Sequence, residues 1–389
     1  MKRRVSVFVL AAGAVGLGLV IGILSAGFLK LVDLGQHVLW KAGWADFPYA
    51  PLLICTLGGI LVGLCQRYLG DHPKSLHGAV EELRETGRLA YAHLPHGLLS
   101  AAISLVFGAS LGPEAAIVSL LGGLSTWAAD RLRALRGRLG VPCPSSEGSR
   151  LHRLARQWPN TLALAVGFVI FFLGMKGLYS GGVLNMNEPF VWSDVLWAIP
   201  LGIIGALFGC LYRMLLGAGR RLTAPLCSRP VLRATLAGGI LGAAASWLPM
   251  MLFSGQYDMQ AAYLQASQLG VGQLSLIALV RLAMIALLLA SGWKGGPFFP
   301  LMFASAALGL GMSQALSFIS APVGALGIMA GLLIVVLPQP LIILAFMALL
   351  FPLRHLGIIA AAILAATAGK AIVDRRWLPT RQVGHQPIE

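Results

Sequence analysis

Long apolar stretches without charge alternate with short ones broken by glycine and proline. Val5–Leu29 and Val195–Tyr212 carry no charged residue. Each reaches the roughly 18–20 residues that a helix needs to cross a bilayer. Further spans read as Pro51–Cys65, His93–Leu111, Thr161–Met175, Ala234–Gly255, Leu274–Trp293, Phe298–Ile319, Pro322–Leu337, Pro340–Leu350 and Leu356–Ala368. Several are short for a full span and end at Gly or Pro, as broken or re-entrant helices do. Short polar-faced helices are predicted at Gly78–Gly87 and Gln260–Gly270. The pattern predicts one all-α, multi-pass integral membrane domain.

Composition agrees. Hydrophobic residues make up 57% of the 389 and charged residues 11%, against about 25% charged in a soluble domain. The net charge of +15 raises the question of nucleic acid, but the arginines lie in loops. Arg131, Arg133, Arg136, Arg138, Arg150, Arg153 and Arg156 share one loop, and Arg220, Arg221, Arg229 and Arg233 another; Arg375, Arg376 and Arg381 sit in the tail. Asn185–Asp194 has Glu188 and Asp194 and no Lys or Arg. This asymmetry follows the positive-inside rule. It argues against nucleic acid and predicts a plasma (inner) membrane protein with both termini cytoplasmic. Met1-Lys2-Arg3-Arg4 and the run behind it read as an uncleaved first span, because the run is too long for a signal peptide. The five cysteines are scattered without metal spacing, so no disulfide, metal or cofactor is expected.

The chain repeats itself. Pro51–Leu61 aligns with Pro230–Leu241 across one insertion, and Gly112-Pro113 with Gly296-Pro297, 184 residues on. Pro159 answers Pro340, and the two short polar-faced helices answer each other. Transporter-length repeats form halves of opposite orientation with a binding site near the midplane. The organisation read from this is an N-terminal half over 1–180, a C-terminal half over 181–373 and a basic cytoplasmic tail over 374–389.

One carboxylate stands out. In Phe107-Gly108-Ala109-Ser110-Leu111-Gly112-Pro113-Glu114-Ala115-Ala116, Glu114 follows a Gly-Pro break, and Ala115–Ala129 after it is uncharged. A charge in the bilayer costs at least roughly 2.5–3.5 kcal/mol, so an acid kept there is a functional candidate. The bland alternative is a helix N-cap near the interface.

Gly108–Glu114 resembles the G-R-E-G-P region of the CLC family of chloride channels and proton-coupled chloride transporters. Gly295-Gly296-Pro297-Phe298-Phe299-Pro300 is similar to that family's G-x-F-x-P motif. Gly78-Ala79-Val80-Glu81-Glu82 resembles the segment after its G-S-G-I-P signature, and Ala325–Phe346 a later loop between paired helices. The resemblance runs with gaps from about Pro51 to Lys370. It implies a CLC-like inverted repeat with broken helices, transport of an inorganic anion (chloride or similar) either alone or coupled to protons, and a homodimer in the lipid bilayer. It implies Glu114 as the gate and backbone near Gly112, Phe298 and Phe299 as the anion site. Helix N-termini attract anions through their amides and dipole. A deprotonated Glu114 competes for that place, and desolvation is expected to raise its proton affinity.

The chain departs from the family pattern in three places. Gly70–His77 lacks the signature serine, leaving Ser75 as a weak candidate beside Asp71. Pro297 brings no N–H. Val141–Arg150 is polar where the second half has an apolar helix, no carboxylate occurs between Pro159 and Leu178, and no tyrosine follows Tyr263. Ser110, Arg281 and Lys294 are further weak anion-site candidates, Arg281 reading more readily as snorkelling to the interface. Trp40, Trp44, Trp192, Trp197 and Trp293 read as an interface belt, and Arg354-His355 as an interfacial pair. An enzyme is not expected. The competing functions are a non-conducting CLC-like protein, a fluoride-type exporter and, remotely, an intramembrane serine hydrolase using Ser110 and His355.

Overall fold

A computed structural model describes residues 2–41, 47–70, 88–138, 191–255 and 258–377, with isolated positions between 72 and 82 and between 159 and 188. The named helices are α1 Lys2–Trp40, α2 Ala50–Leu69, α3 Leu94–Val106, α4 Glu114–Arg138, α5 Trp192–Thr223, α6 Pro230–Trp247, α7 Asp258–Leu264, α8 Ala266–Ala290, α9 Phe298–Ala315, α10 Ala321–Val336, α11 Pro340–Leu350 and α12 Leu356–Trp377. Among the described residues, α1, α2, α5, α8 and α9 are long and apolar enough to cross a membrane. The expected polar segments at Gly78–Gly87 and Val141–Arg150, and most of Thr161–Met175, lie outside the described residues.

Several boundaries differ from expectation; α5 runs on to Thr223, and α8 starts at Ala266 rather than Leu274, with a non-helical Gly270 inside it. Helix α1 continues past Leu29 to Trp40, because the charges that follow do not interrupt its buried stripe. Phe28, Leu29 and Val32 pack with Ala101 and Leu105 of α3 and with Ala116 and Leu120 of α4. The span expected over His93–Leu111 stops at Val106, and the one expected over Ala234–Gly255 stops at Trp247. The apolar residues after each stop are broken backbone.

The chain divides into two compact units. Unit 1 takes Met1–Ser180, Thr223–Phe253 and Leu288–Pro297; unit 2 takes Gly181–Leu222, Ser254–Leu287 and Phe298–Glu389.

In unit 1, α2 and α6 are repeat equivalents, and they pack on each other. A Cβ on Gly59 would meet Ala234 O at 2.5 Å, and one on Gly238 would press into Cys55 O. Gly63 faces Val231 and Pro230, and Gly242 faces Leu52 and Pro51. As α2 advances its partner on α6 retreats, so the helices are antiparallel. Every contact has its mirror: residue 55 stands to 234 as 59 stands to 238. The repeats are therefore inverted, related by a local two-fold axis. The contacts also correct the sequence alignment. Their register needs no insertion, and Gly59 corresponds to Gly238 rather than to Gly239. Small residues at such crossings let backbones approach closely enough for dispersion to hold them without any hydrophobic drive. Trp293 lies over the same seam, 2% exposed, and donates Nε1–H to Ala234 O at 3.0 Å. It is a core residue and not part of an interface belt, whereas Trp192 is 81% exposed.

Two helix ends in unit 1 repeat as well. At the end of α3, Gly108 has φ +87, Gly108 N–H donates to Leu105 O (3.4 Å), and Ala109 N–H donates to Ser104 O (3.0 Å). At the end of α8, Gly292 has φ +88, with Gly292 N–H to Leu289 O (3.2 Å) and Trp293 N–H to Leu288 O (3.0 Å). Both are Schellman terminations, which need a left-handed residue that glycine supplies without strain.

In unit 2, glycines again set the packing. Gly202 of α5 lies against Ala362 of α12, and Gly205 against Ile328 of α10. Gly309 of α9 and Gly324 of α10 face each other backbone to backbone. Helix α10 is buried along nearly its whole length.

Gly238→Val is expected to destabilise the protein by about 1–3 kcal/mol or more through overpacking, lowering the thermal midpoint in detergent. Gly239→Val, where only Thr56 Oγ1 lies near at 3.6 Å, is expected to leave the midpoint nearly in place. Equal effects would refute the packing register. Gly108→Ala forces a left-handed non-glycine and sets a Cβ 2.7 Å from the Trp40 ring; it is expected to cost about 1–3 kcal/mol, read by the same melt.

Candidate functional site

The break after α3 begins with its orphan carbonyls. The last four C=O groups of a helix lack intrahelical donors. Here α1 provides two: Gln36 Nε2–H donates to Leu105 O (2.9 Å) and Trp40 Nε1–H to Val106 O (2.9 Å). The Trp40 ring also meets Phe253 edge to face, centroids 5.3 Å apart. Phe253 N–H reaches Gly108 O at 3.2 Å. Phe253 is the one non-glycine residue with positive φ among those described, at +57. A bulky residue there carries backbone strain that its surroundings must hold.

The chain then passes through fully buried Ala109, Ser110 and Leu111, bending at Ser110. At Gly112 it meets its repeat equivalent. Gly112 N–H donates to Gly296 O (2.7 Å) and Gly296 N–H to Gly112 O (2.6 Å), an isolated antiparallel bridge. The Gly112 amide is thus engaged within unit 1. This corrects the expectation that it serves an anion.

Glu114 opens α4 and is half-buried. Its carboxylate lies back over the bridge. A Cβ on Gly296 would stand 3.0 Å from Glu114 Cδ, with Oε2 nearer still, and a Cβ on Gly112 would run into both carboxylate oxygens. Only glycine leaves this room, at both positions. Beside the bridge, Lys294 N–H donates to Ser104 Oγ (2.9 Å), tying the second-half turn to α3. Lys294 itself is 9% exposed, a buried residue and not an interfacial anchor. At the far end of the turn, Gln66 Nε2–H donates to Gly292 O (2.7 Å), and Arg233 Nη2–H donates to Gln66 Oε1 (2.8 Å).

Phe298 and Phe299 open α9 in unit 2 and are buried, both packing toward Phe346. Arg281 does not snorkel. It is 0% exposed within unit 2, its guanidinium 4.4 Å from the Phe303 ring centre and against Gly255, whose φ is +72. Burial raises the Asp258 carboxyl above its usual value, and the charge of Arg281 pulls it back down. Ser75 lies outside the described residues. Ser110 Oγ has no hydrogen-bond partner among the described residues, so no base activates it there. His355 is buried rather than interfacial, and its Nε2 accepts from Arg354.

Sequence reasoning missed a pocket in unit 1. His72, Glu82, His93, Gly97, Ala116 and Ser119 help line it. The His72 and His93 rings stack at 4.5 Å, 10° from parallel. Twenty-one positions separate these histidines in the chain, so no local spacing announced them. The signal available was only that both flank the short polar-faced helix predicted at Gly78–Gly87. Sequence reasoning also passed over Gln36, and it read Trp40, one helical turn further along α1, only as part of an interface belt.

Comparison with known proteins follows this geometry. Two relatives, each named "Putative ion-transport protein YfeO", come from Salmonella paratyphi A (strain ATCC 9150 / SARB42) and Salmonella newport (strain SL254). Each is 26% identical over 382 residues, covering 86% of this chain and 87% of the relative. Among solved structures, a slow cyanobacterial Cl-/H+ antiporter superposes with a TM-score of 0.72 at 17% identity, covering 94% of this chain and 95% of that one. A CLC-type fluoride/proton antiporter gives 0.69 at 16% identity, covering 93% and 95%. Residues 147–372 match the family described as "Voltage gated chloride channel". With the apolar helices and the inverted repeat, these matches identify a multi-pass membrane protein of the CLC fold whose function class is CLC-type anion transport. The chain belongs to the voltage-gated chloride channel family.

Proposed function

We propose that the protein carries an inorganic anion, chloride or fluoride, across the membrane, with Glu114 as its gate and proton acceptor. One observation carries the reading. The Glu114 carboxylate sits at the N-terminus of α4, folded over two glycine backbones that bear no side chain to exclude it. The positive end of α4 favours an anion there, and the carboxylate is itself the anion that fills it. Protonation removes that charge and frees the place. Because Gly112 spends its amide in the bridge and Pro297 has none, the proposed anion ligands are the amides of Phe298 and Phe299 that open α9. The antiporter activities of the structural neighbours, chloride in one and fluoride in the other, support coupling to protons and leave both halides as substrates. The proposed setting is a homodimer in the plasma (inner) membrane with both termini cytoplasmic.

Reconstitution into liposomes with chloride and fluoride electrodes tests this. Wild-type protein is expected to release one of the two ions. Glu114→Gln, a fixed neutral mimic, is expected to change that flux by about tenfold or more and to abolish its pH dependence, as removing a titrating gate requires. Absence of flux in the wild type, or a Glu114→Gln profile that overlays it, would sink the reading. Gly296→Ala crowds the carboxylate without touching its charge. It is expected to shift the pH at half-maximal flux while leaving a pH dependence in place, a pattern distinct from that of Glu114→Gln.

A further inference from the structure

Helices α1 and α4 run antiparallel in unit 1. Near the start of α1, Gly13 lies against Leu132 and Leu135, and Leu10 and Ala14 cluster with Leu132. Further along, Phe28 and Val32 pack with Ala116 and Leu120. The arginine-bearing end of α4 therefore stands beside the first turns of α1. Counting along both helices from the Gly13 contact, Arg131 is level with about residues 14–17 of α1 and Arg138 with about residues 7–10. That level is apolar and open. The membrane-length stretch of α1 begins at Phe8, and Phe8, Val9 and Val15 are exposed, Phe8 by 75%. Exposed apolar surface of this kind marks contact with lipid. A cation at the same level reaches out to water or meets an anion that the lipid supplies.

The helix period sorts the arginines at this end. Leu132 and Leu135 mark the face of α4 turned to α1. Trp127 precedes Arg131 by one turn and Arg138 follows it by two, so these three share one flank of α4. Arg133 lies on the other flank with Asp130, to which it donates at 2.6 Å, and Arg88 donates to the same oxygen at 2.8 Å. The carboxylate of this end is thus taken up on that flank. Arg131 and Arg138 are exposed and form no ion pair among the described residues. The Arg131 guanidinium lies 5.7 Å from the Trp127 ring centre. Stacking holds the guanidinium in place and leaves its edge N–H groups, a fork that fits two phosphate oxygens. Tryptophan belongs at headgroup depth, where one end of it is apolar and the other wet. Lys2, Arg3 and Arg4 add positive charge just before the apolar run of α1.

We propose that Trp127, Arg131 and Arg138 form a binding site for an anionic phospholipid. Two turns separate the arginines, a rise of roughly 10 Å, so both flexible side chains reach one headgroup. The lipid phosphate accepts from the two guanidinium groups, and its acyl chains lie along the exposed apolar surface of α1. A soluble phosphate offers the same charge without the apolar contact. The level of the arginines beside exposed Phe8, Val9 and Val15 selects the lipid.

Native mass spectrometry of the full chain in detergent tests this, with phosphatidylglycerol and phosphatidylcholine of the same acyl chains added together. Wild type is expected to retain phosphatidylglycerol about fivefold or more over phosphatidylcholine. Arg131→Gln/Arg138→Gln is expected to lower that preference about fivefold or more, since each basic group near the headgroups contributes to it. Arg133→Gln, on the other flank, is expected to leave the preference within about twofold of wild type. A wild type without preference would overturn the site, as would an equal loss in Arg133→Gln, the sign of general charge attraction. Displacement of the lipid by soluble glycerol 3-phosphate would overturn it too, by marking a free-phosphate site. Should the double variant not fold, a photoreactive phosphatidylglycerol on the wild type decides. Crosslinks are expected between residues 127 and 138 and in the first turns of α1. Crosslinks confined to the basic ends of α2 and α6, at Arg67, Arg229 and Arg233, would overturn the proposal.

Discussion

Two hydrogen bonds between Gly112 and Gly296 bring the two repeats together at their breaks, and the site depends on them. Each glycine donates to the other and accepts from it, so both backbones are satisfied where helices have stopped. Buried backbone without partners is costly in hydrocarbon, and this bridge removes that cost at the two places where the chain is least regular. It also sets the room available. A residue that bonds through its backbone while a carboxylate lies on its α-carbon has to be glycine. The Schellman ends at Gly108 and Gly292 deliver the chain to the bridge, and Trp40, Gln36, Ser104 and Gln66 hold the turns on either side.

Much of the fold was legible because the bilayer imposes it. The breaks at Gly and Pro follow from the cost of exposed charge and unpaired backbone in lipid, but arginines read as loop residues stand on helix ends, Arg131, Arg133, Arg136 and Arg138 on α4 and Arg220 and Arg221 on α5. The repeat was legible too, since the glycines that permit close packing recur. Its register was not, because Gly58-Gly59 and Gly238-Gly239 look alike as letters. Only the direction each glycine faces tells that 59 pairs with 238. Trp293 and Arg281 misled for a related reason. Tryptophan and arginine in apolar sequence usually mark the interface, but here the seam and unit 2 each enclose one, with Ala234 O and the Phe303 ring as partners.

The site was half legible. Glu114 announced itself as an isolated acid in an uncharged run. That the Gly112 amide is already committed was invisible, because backbone pairing between residues 184 apart leaves no local trace. The stacked histidines were hidden in the same way. Each is unremarkable where it stands in the chain, and the pocket appears only once α3 and α4 pack together.

The mirrored contacts between α2 and α6 bear on the origin of the chain. A helix that packs antiparallel against its own repeat equivalent is, in effect, a dimer interface joined within one polypeptide. Before the join, both partners were the same sequence, so that sequence had to enter the membrane in either direction. Such a dual-topology ancestor tolerates little imbalance of basic residues between its loops. The arginines at the ends of α4 and α5 would then have accumulated after fusion, when the orientation of each copy no longer had to be shared.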